Sequence, residues 1–236
     1  MSSRLHMIEM RLDTEALVRF LENQNLNRRD DEDLGYGIHA WLSAAFGKLS
    51  PKPFRLFLDI KARRSTRILA YSRHPNNELI DHLERFAEPG AFAVCPPDMI
   101  SSKPMALTWP KGSRLSFEAL VCPISRKNGH EKDIFLRLAD RLGAEADLKR
   151  HDAYAEWIQQ QVTDAMHLIK VRLDAFRLIR VYRRKKGSGS GKIIRPQALL
   201  SGGLEIIDAD AFHKVLERGI GRHRAFGYGM LLLKSR

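Results

Sequence analysis

Gly219-Ile220-Gly221-Arg222-His223-Arg224-Ala225-Phe226-Gly227-Tyr228-Gly229 is the stretch that decides how this chain reads. Four glycines and three cationic or ionisable side chains, Arg222, His223 and Arg224, fall within eleven residues. A helix-like amphipathic segment precedes them and the apolar run 230–233 follows. Glycines at this density let backbone N–H groups approach a phosphate, and arginines add charge and forked donors. A dinucleotide fingerprint runs strand, glycines, helix, with an acid about 20 residues on. Here the order is helix, glycines, strand, and no Gly-Lys-Ser/Thr ending marks a P-loop. A polyanion-binding loop is the expectation; its competitor is a loop whose glycines serve packing alone.

Composition points the same way. Forty Lys and Arg oppose 28 Asp and Glu, for a formal net charge of +12. Such a balance favours a polyanionic partner, nucleic acid before anionic membrane. A hydrophobic content of 44% is ample for packed cores and argues against disorder. No apolar run approaches the roughly 18 residues of a membrane span, and residues 1–6 do not open a signal-peptide stretch. Cys95 and Cys122 stand alone, with no CxxC spacing. Cytoplasm is the expected compartment, with no membrane partner.

Outward from the loop, the chain reads as the same plan twice. Residues 6–12 alternate as a strand, Thr14 is placed to cap a helix carrying Leu17, Phe20 and Leu21, and 23–33 is a charged linker. A helix over 38–46 ends at Gly47, strands follow at 54–60 and 67–72 around the basic turn 61–65, and 77–86 is helical. Strands are expected at 91–95 and 105–109. The second half gives a strand at 115–123, helices at 133–142 and 153–162, strands within 166–182 and at 198–207, a helix at 211–216 and a closing strand at 226–233. Each half thus reads approximately as βαββαβ. The expected class is α+β: two tandem ferredoxin-like, RRM-like domains, 1–109 and 110–236.

Between the last two long strands lies a basic hairpin. Arg177, Arg180, Arg183, Arg184, Lys185, Lys186, Lys192 and Arg195 flank Gly187-Ser188-Gly189-Ser190-Gly191, and no acid falls between 177 and 195. Nucleic-acid contact is the expected role of these cations.

Chemistry is sparser. No two of the nine histidines fall in a metal pattern, and no acidic cluster offers carboxylates to Mg²⁺, so neither metal nor cofactor is expected. Tyr36 and His39 differ from the rest: three apart, they have a spacing that can put both on one helical face, the competing reading being a histidine satisfied at a helix start. An imidazole moves protons near neutral pH, and a phenol donates one or orients a phosphate. For RNA that is sufficient, because the substrate's own 2′-OH supplies the nucleophile.

Asp33-Leu34 with Tyr36-Gly37-Ile38-His39 resembles the catalytic segment of the CasE family, the pre-crRNA endoribonucleases of type I-E CRISPR (Cascade) systems. Residues 117–126, Asp133-Ile134-Phe135-Leu136, Tyr154-Ala155-Glu156-Trp157-Ile158 and 203–208 resemble further family segments in order, and the glycine loop with its strand completes them. The resemblance implies two ferredoxin-like domains of the RAMP type, catalysis by His39 and Tyr36, and metal-independent cleavage of a CRISPR repeat-RNA hairpin. The product carries a 5′-OH and a 2′,3′-cyclic phosphate and passes to Cascade subunits. His39 serves as general base or as general acid. RNA binding is expected from Arg177, Arg180, Arg183, Arg184, Lys185, Lys186 and Lys192, and from Gly219, Gly221, Arg222, His223, Arg224, Gly227 and Gly229. The rival readings are a non-catalytic RNA-binding CRISPR subunit and a general basic RNA-binding protein.

Overall fold

A computed structural model describes residues 4–26, 34–58, 65–143, 147–185 and 188–234, the side chains of 65 and 181–192 excepted. The chain forms two compact units, Met1–Leu107 with Ala225–Gly227, and Thr108–Arg224 with Tyr228–Arg236.

In the first unit, β1 (His6–Asp13) buries Ile8, Met10 and Leu12 on one face, the period-2 pattern of a half-covered strand. Asp13 then caps α1 (Thr14–Asn23): its Oδ1 accepts from the N–H groups of Glu15 and Ala16, at 2.9 and 3.0 Å. The cap lies one residue before the expected Thr14. An ionised carboxylate satisfies the orphan N–H groups and suits the positive end of the helix dipole, while the Thr14 hydroxyl sits 3.1 Å from Thr66 Oγ1. Next comes α2 (Gly35–Phe46), beginning three residues before the expected start. A Cβ on Gly37 would lie 2.7 Å from Leu21 Cδ2, so a larger residue there would push the end of the Leu21 side chain aside. Trp41, Leu42 and Phe46 fill the core beneath, and burying each contributes on the order of 2–3 kcal/mol.

Strands β2 (Phe54–Leu58) and β3 (Ser65–Ser72), helices α3 (Asn76–Phe86) and α4 (Pro89–Phe92), and strand β4 (Ile100–Pro104) complete the unit. Most of the expected turn 61–65 lies outside the described residues, as does most of the linker 23–33. The sheet runs β2-β3-β1-β4, antiparallel throughout. The strands expected at 91–95 and 105–109 are not formed. A short apolar run reads alike as strand or buried helix. Here Pro89 opens a helical turn, Ala91, Val94 and Cys95 are buried from it, and the Trp41 indole donates to Ala91 O at 2.9 Å. The pairing strand is instead β4, an edge strand in which only Ile100 is buried and which ends on a proline.

The second unit repeats the order with one addition. After β5 (Arg114–Val121) comes a hairpin of β6 (Ile124–Lys127) and β7 (His130–Asp133). Its turn is Asn128-Gly129, both at positive φ, as a two-residue hairpin demands. Helices α5 (Ile134–Leu142) and α6 (Arg150–Val162), long strands β8 (Met166–Lys185) and β9 (Ser188–Ile206), helix α7 (Ala209–Arg218) and strand β10 (Leu231–Lys234) follow. The closing strand is shorter than the expected 226–233 because Arg224–Phe226 is a 3₁₀ turn. The sheet order is β10-β5-β9-β8. In both units the first strand lies between the third and fourth, which is the ferredoxin-like arrangement.

Asp133 locks the start of α5. Its Oδ1 accepts from Phe135 N–H at 2.8 Å, Arg150 donates to its Oδ2 at 2.5 Å, and the Tyr154 hydroxyl lies 3.0 Å from both oxygens. The Arg150 guanidinium also stacks on Phe135 and Phe176, 4.2 Å from each ring centroid. A buried carboxylate is tolerable here because each of its oxygens meets a donor.

Candidate functional site

In the first unit, α2 presents Tyr36 and His39 one turn apart, Tyr36 46% exposed and His39 half-buried. Ile38, Trp41 and Leu42 point into the core, so the pair occupies the opposite side of a firmly seated helix. Phe226, from the glycine stretch, meets both. Its ring lies 5.3 Å from His39 in an edge-on arrangement of 87°, and 5.9 Å from Tyr36 at 40°. Burial lowers the pKa of His39 from 6.5, and the positive charge of Lys52 lowers it further. A neutral imidazole, able to accept a proton, therefore dominates at neutral pH.

The glycine loop owes its composition to its own backbone. Gly219, Gly221, Gly227 and Gly229 all have positive φ, and so does His223. A Cβ on Gly229 would stand 2.2 Å from Ile220 O, and one on Gly221 would stand 2.9 Å from the Trp157 ring. Gly229 can approach so closely because the loop closes on itself: Ile220 N–H donates to Gly229 O at 2.8 Å, and Gly229 N–H to Leu120 O of β5 at 2.7 Å. Packing and turn geometry thus account for these glycines before any ligand is invoked.

The loop's cations have an internal partner that the sequence did not reveal. Glu131 of β7 accepts from Arg222 Nε on one oxygen and pairs with His223 Nε2 on the other, each at 3.2 Å, and Arg195 Nη1 of β9 pairs with that second oxygen. Arg195 and His223 are 7% and 8% exposed at the side chain, and Arg222 44%. Burial alone would raise the Glu131 pKa, but hydrogen bonds and charge from Arg195 and His223 hold it down at about 2. The cluster clamps one carboxylate between two guanidinium groups and an imidazole. Arg222 keeps its outer surface in solvent, and Arg224 donates through Nη1 to Arg218 O at 3.0 Å.

The basic hairpin is an antiparallel pair with Arg177 opposite Gln197 and Arg180 opposite Ile194, and its register shifts between Arg183 and Lys185. Both arginines are exposed; Arg177 Nε donates to Gln197 Oε1, and Gln197 Nε2 donates to the Tyr228 hydroxyl at 3.2 Å. Lys186 and the side chains of Arg183, Arg184, Lys185 and Lys192 lie outside the described residues. Among the described residues, no group of three or more His, Cys, Asp or Glu side chains is arranged to hold a metal ion. No helix there is long and apolar enough to cross a membrane.

Tyr36 and His39 come together as their spacing implied. Phe226, Lys52 and Glu131 were not singled out as site residues, and Arg195, expected among the nucleic-acid-contacting cations of the hairpin, is instead buried against Glu131. Phe226 stood inside the quoted loop without an assigned role, and Glu131 is separated from Arg222 by 91 positions.

The chain has the fold of several solved CRISPR proteins. It is similar to the CRISPR endoribonuclease Cse3 bound to a 19-nucleotide RNA, with 18% identity and a TM-score of 0.67 over 98% of this chain and 99% of that one. It is similar to Cas6e from Escherichia coli K-12, with 19% identity and a TM-score of 0.51 over 99% and 100%. It also resembles a chain of a CRISPR RNA-guided surveillance complex, with 17% identity and a TM-score of 0.55 over 98% and 100%. A search of curated proteins found no match. The CRISPR associated protein family matches residues 5–235, nearly the whole sequence, and the chain belongs to that family.

Proposed function

We propose that this protein is the endoribonuclease that processes CRISPR repeat RNA, cutting pre-crRNA at the base of the repeat hairpin and keeping the product for the Cascade complex. The observation that carries the reading is the Tyr36–His39 pair, held on one side of α2 with the imidazole favoured in its neutral form. The RNA-bound and complex-bound states of proteins sharing its fold support the substrate class and the assembly. The reading has it work in the cytoplasm, with RNA and protein partners.

His39 acts as the general base. It takes the proton from the 2′-OH of the nucleotide before the cut, and that oxygen attacks the adjacent phosphorus. The P–O5′ bond breaks, leaving a 2′,3′-cyclic phosphate on one fragment and, once protonated, a 5′-OH on the other. Depressed proton affinity favours this role over that of acid in the free protein. Tyr36, 46% exposed beside His39, orients the scissile phosphate. Lys52, whose charge is felt at His39, offsets negative charge growing on the phosphorane. No metal enters, since nucleophile, base and cation are all supplied. The exposed Arg177 and Arg180, with the further cations of the hairpin, contact the stem through phosphates, because the major groove of A-form RNA is too narrow to read.

The test is a labelled repeat hairpin incubated with the protein in EDTA, with the fragment ends identified across a pH series. One cut at the stem base, with a cyclic phosphate end, is the expected result. A base must be neutral to act, so the rate should rise with pH and level off at a midpoint below the ordinary 6.5 of histidine. Cleavage that requires added metal, or binding without any cut, would overturn the reading.

A further inference from the structure

We propose that Phe226 is a positioning residue for the candidate catalytic pair: its ring fixes the orientation of the His39 imidazole and shields one side of it from water, while seating Tyr36 on the same ring. The proposal rests on the reading of His39 as the proton-transfer group only for its catalytic consequence; the positioning itself is a property of the free protein.

Three observations converge on this side chain. First, Phe226 makes both aromatic contacts of the pair, edge-on to His39 at 5.3 Å and tilted on Tyr36 at 5.9 Å. An edge-on ring contact has directional preference, so one side chain constrains the rotamers of two others. Second, the place of Phe226 is set by its neighbours. Arg224–Phe226 forms a 3₁₀ turn, and Gly227 follows at φ +87, where a Cβ would stand 3.2 Å from Phe54 Cε2. Glycine at 227 lets the backbone lie against Phe54, so the ring is presented from a packed segment. Third, Ala225–Gly227 belongs to the first unit, the one that carries α2. Burial is the main cause of the lowered proton affinity of His39, ahead of the charge of Lys52, and Phe226 is part of what buries it. Among the described residues, Lys52 by its charge and this ring by its contact bear on the imidazole.

A ring in this role differs from a ring that stacks on RNA. A stacking residue changes affinity for the hairpin. A positioning residue changes the rate at which bound RNA is cut, because misplacing a catalytic group by about 1 Å costs up to about a hundredfold.

Phe226→Leu keeps most of the volume and removes the ring, whereas Phe226→Tyr keeps the ring. In the free protein, the NMR signals of the His39 ring protons are followed through a pH titration. Phe226→Leu should lose their ring-current shift and move the midpoint up towards 6.5; Phe226→Tyr should retain both. Under single turnover, Phe226→Leu should cut the repeat hairpin about 10- to 100-fold more slowly, with its Kd for the RNA unchanged. Unchanged His39 signals in Phe226→Leu overturn the proposal, whatever happens to the rate. A loss of RNA affinity with no change at His39 overturns it as well, in favour of a stacking role. Should the wild type cut no RNA, the ribonuclease reading falls and the titration alone decides the proposal. If Phe226→Leu fails to fold, Phe226→Met carries the same two readings.

Discussion

His39→Ala is expected to lower the single-turnover cleavage rate of the repeat hairpin by about 10²–10⁴-fold, the usual worth of a positioned acid–base group. Affinity for the hairpin should barely change, because His39 is one half-buried side chain and the cations proposed to contact RNA are other residues. Thermal stability should also hold. The helix is anchored by Ile38, Trp41, Leu42 and Phe46, all essentially inaccessible, and the His39 ring is on the other side. Rate and affinity should therefore separate. A parallel fall in both would mean that His39 binds RNA and transfers no proton.

Glu131→Gln should give the largest loss of stability. The native carboxyl titrates at about 2, against an ordinary 4.5 in the unfolded chain. At 1.36 kcal/mol for each unit of difference, ionised Glu131 contributes about 3 kcal/mol at neutral pH. The substitution also leaves Arg195, 7% exposed at the side chain, with its carboxylate partner gone. The folded pKa lies below the unfolded one, so the contribution is complete above about 4.5 and disappears as pH falls towards 2. Urea unfolding at pH 7 should separate wild type and Glu131→Gln by about 3 kcal/mol, and the gap should close as the series approaches pH 2. A gap that stays constant with pH would show that Glu131 acts through packing. Because Glu131 holds Arg222 and His223, the substitution should also loosen the glycine loop where it meets β7.

The elements legible in the sequence were those whose burial follows a regular period. Strand β1 alternates, α1 and α3 carry apolar stripes, and α5 begins at an acidic cap, so the two ferredoxin-like units could be drawn from residue types alone. Where period gives no answer, the reading missed. The run at 91–95 is apolar whether strand or helix, and Pro89 with the Trp41–Ala91 hydrogen bond decides for helix. Strand β4 has one buried residue, too few to alternate. The β6–β7 hairpin carried a usable signal in Asn128-Gly129, a dipeptide suited to a two-residue turn, but its strands are only four residues each.

The candidate site divides in the same way. Tyr36 and His39 are three apart, and local spacing finds such a pair. Phe226 reaches them only through the tertiary fold, and so does the grip of Glu131 on Arg195, Arg222 and His223. The glycines were read for a phosphate, yet positive φ and the approach of Gly229 to Ile220 already require them. Sequence reports which groups are available, and the fold determines which of them are already engaged.

In the proposed reaction the RNA supplies its own nucleophile to a protein-held base. The most direct measurement replaces the nucleotide before the expected cut with its 2′-deoxy form, leaves the rest of the repeat hairpin as RNA, and follows binding and cleavage in EDTA. The deoxy hairpin should bind as tightly as the all-ribose one and remain uncut. Cleavage of the deoxy hairpin at the same position would mean that another nucleophile attacks the phosphate, and would contradict the account.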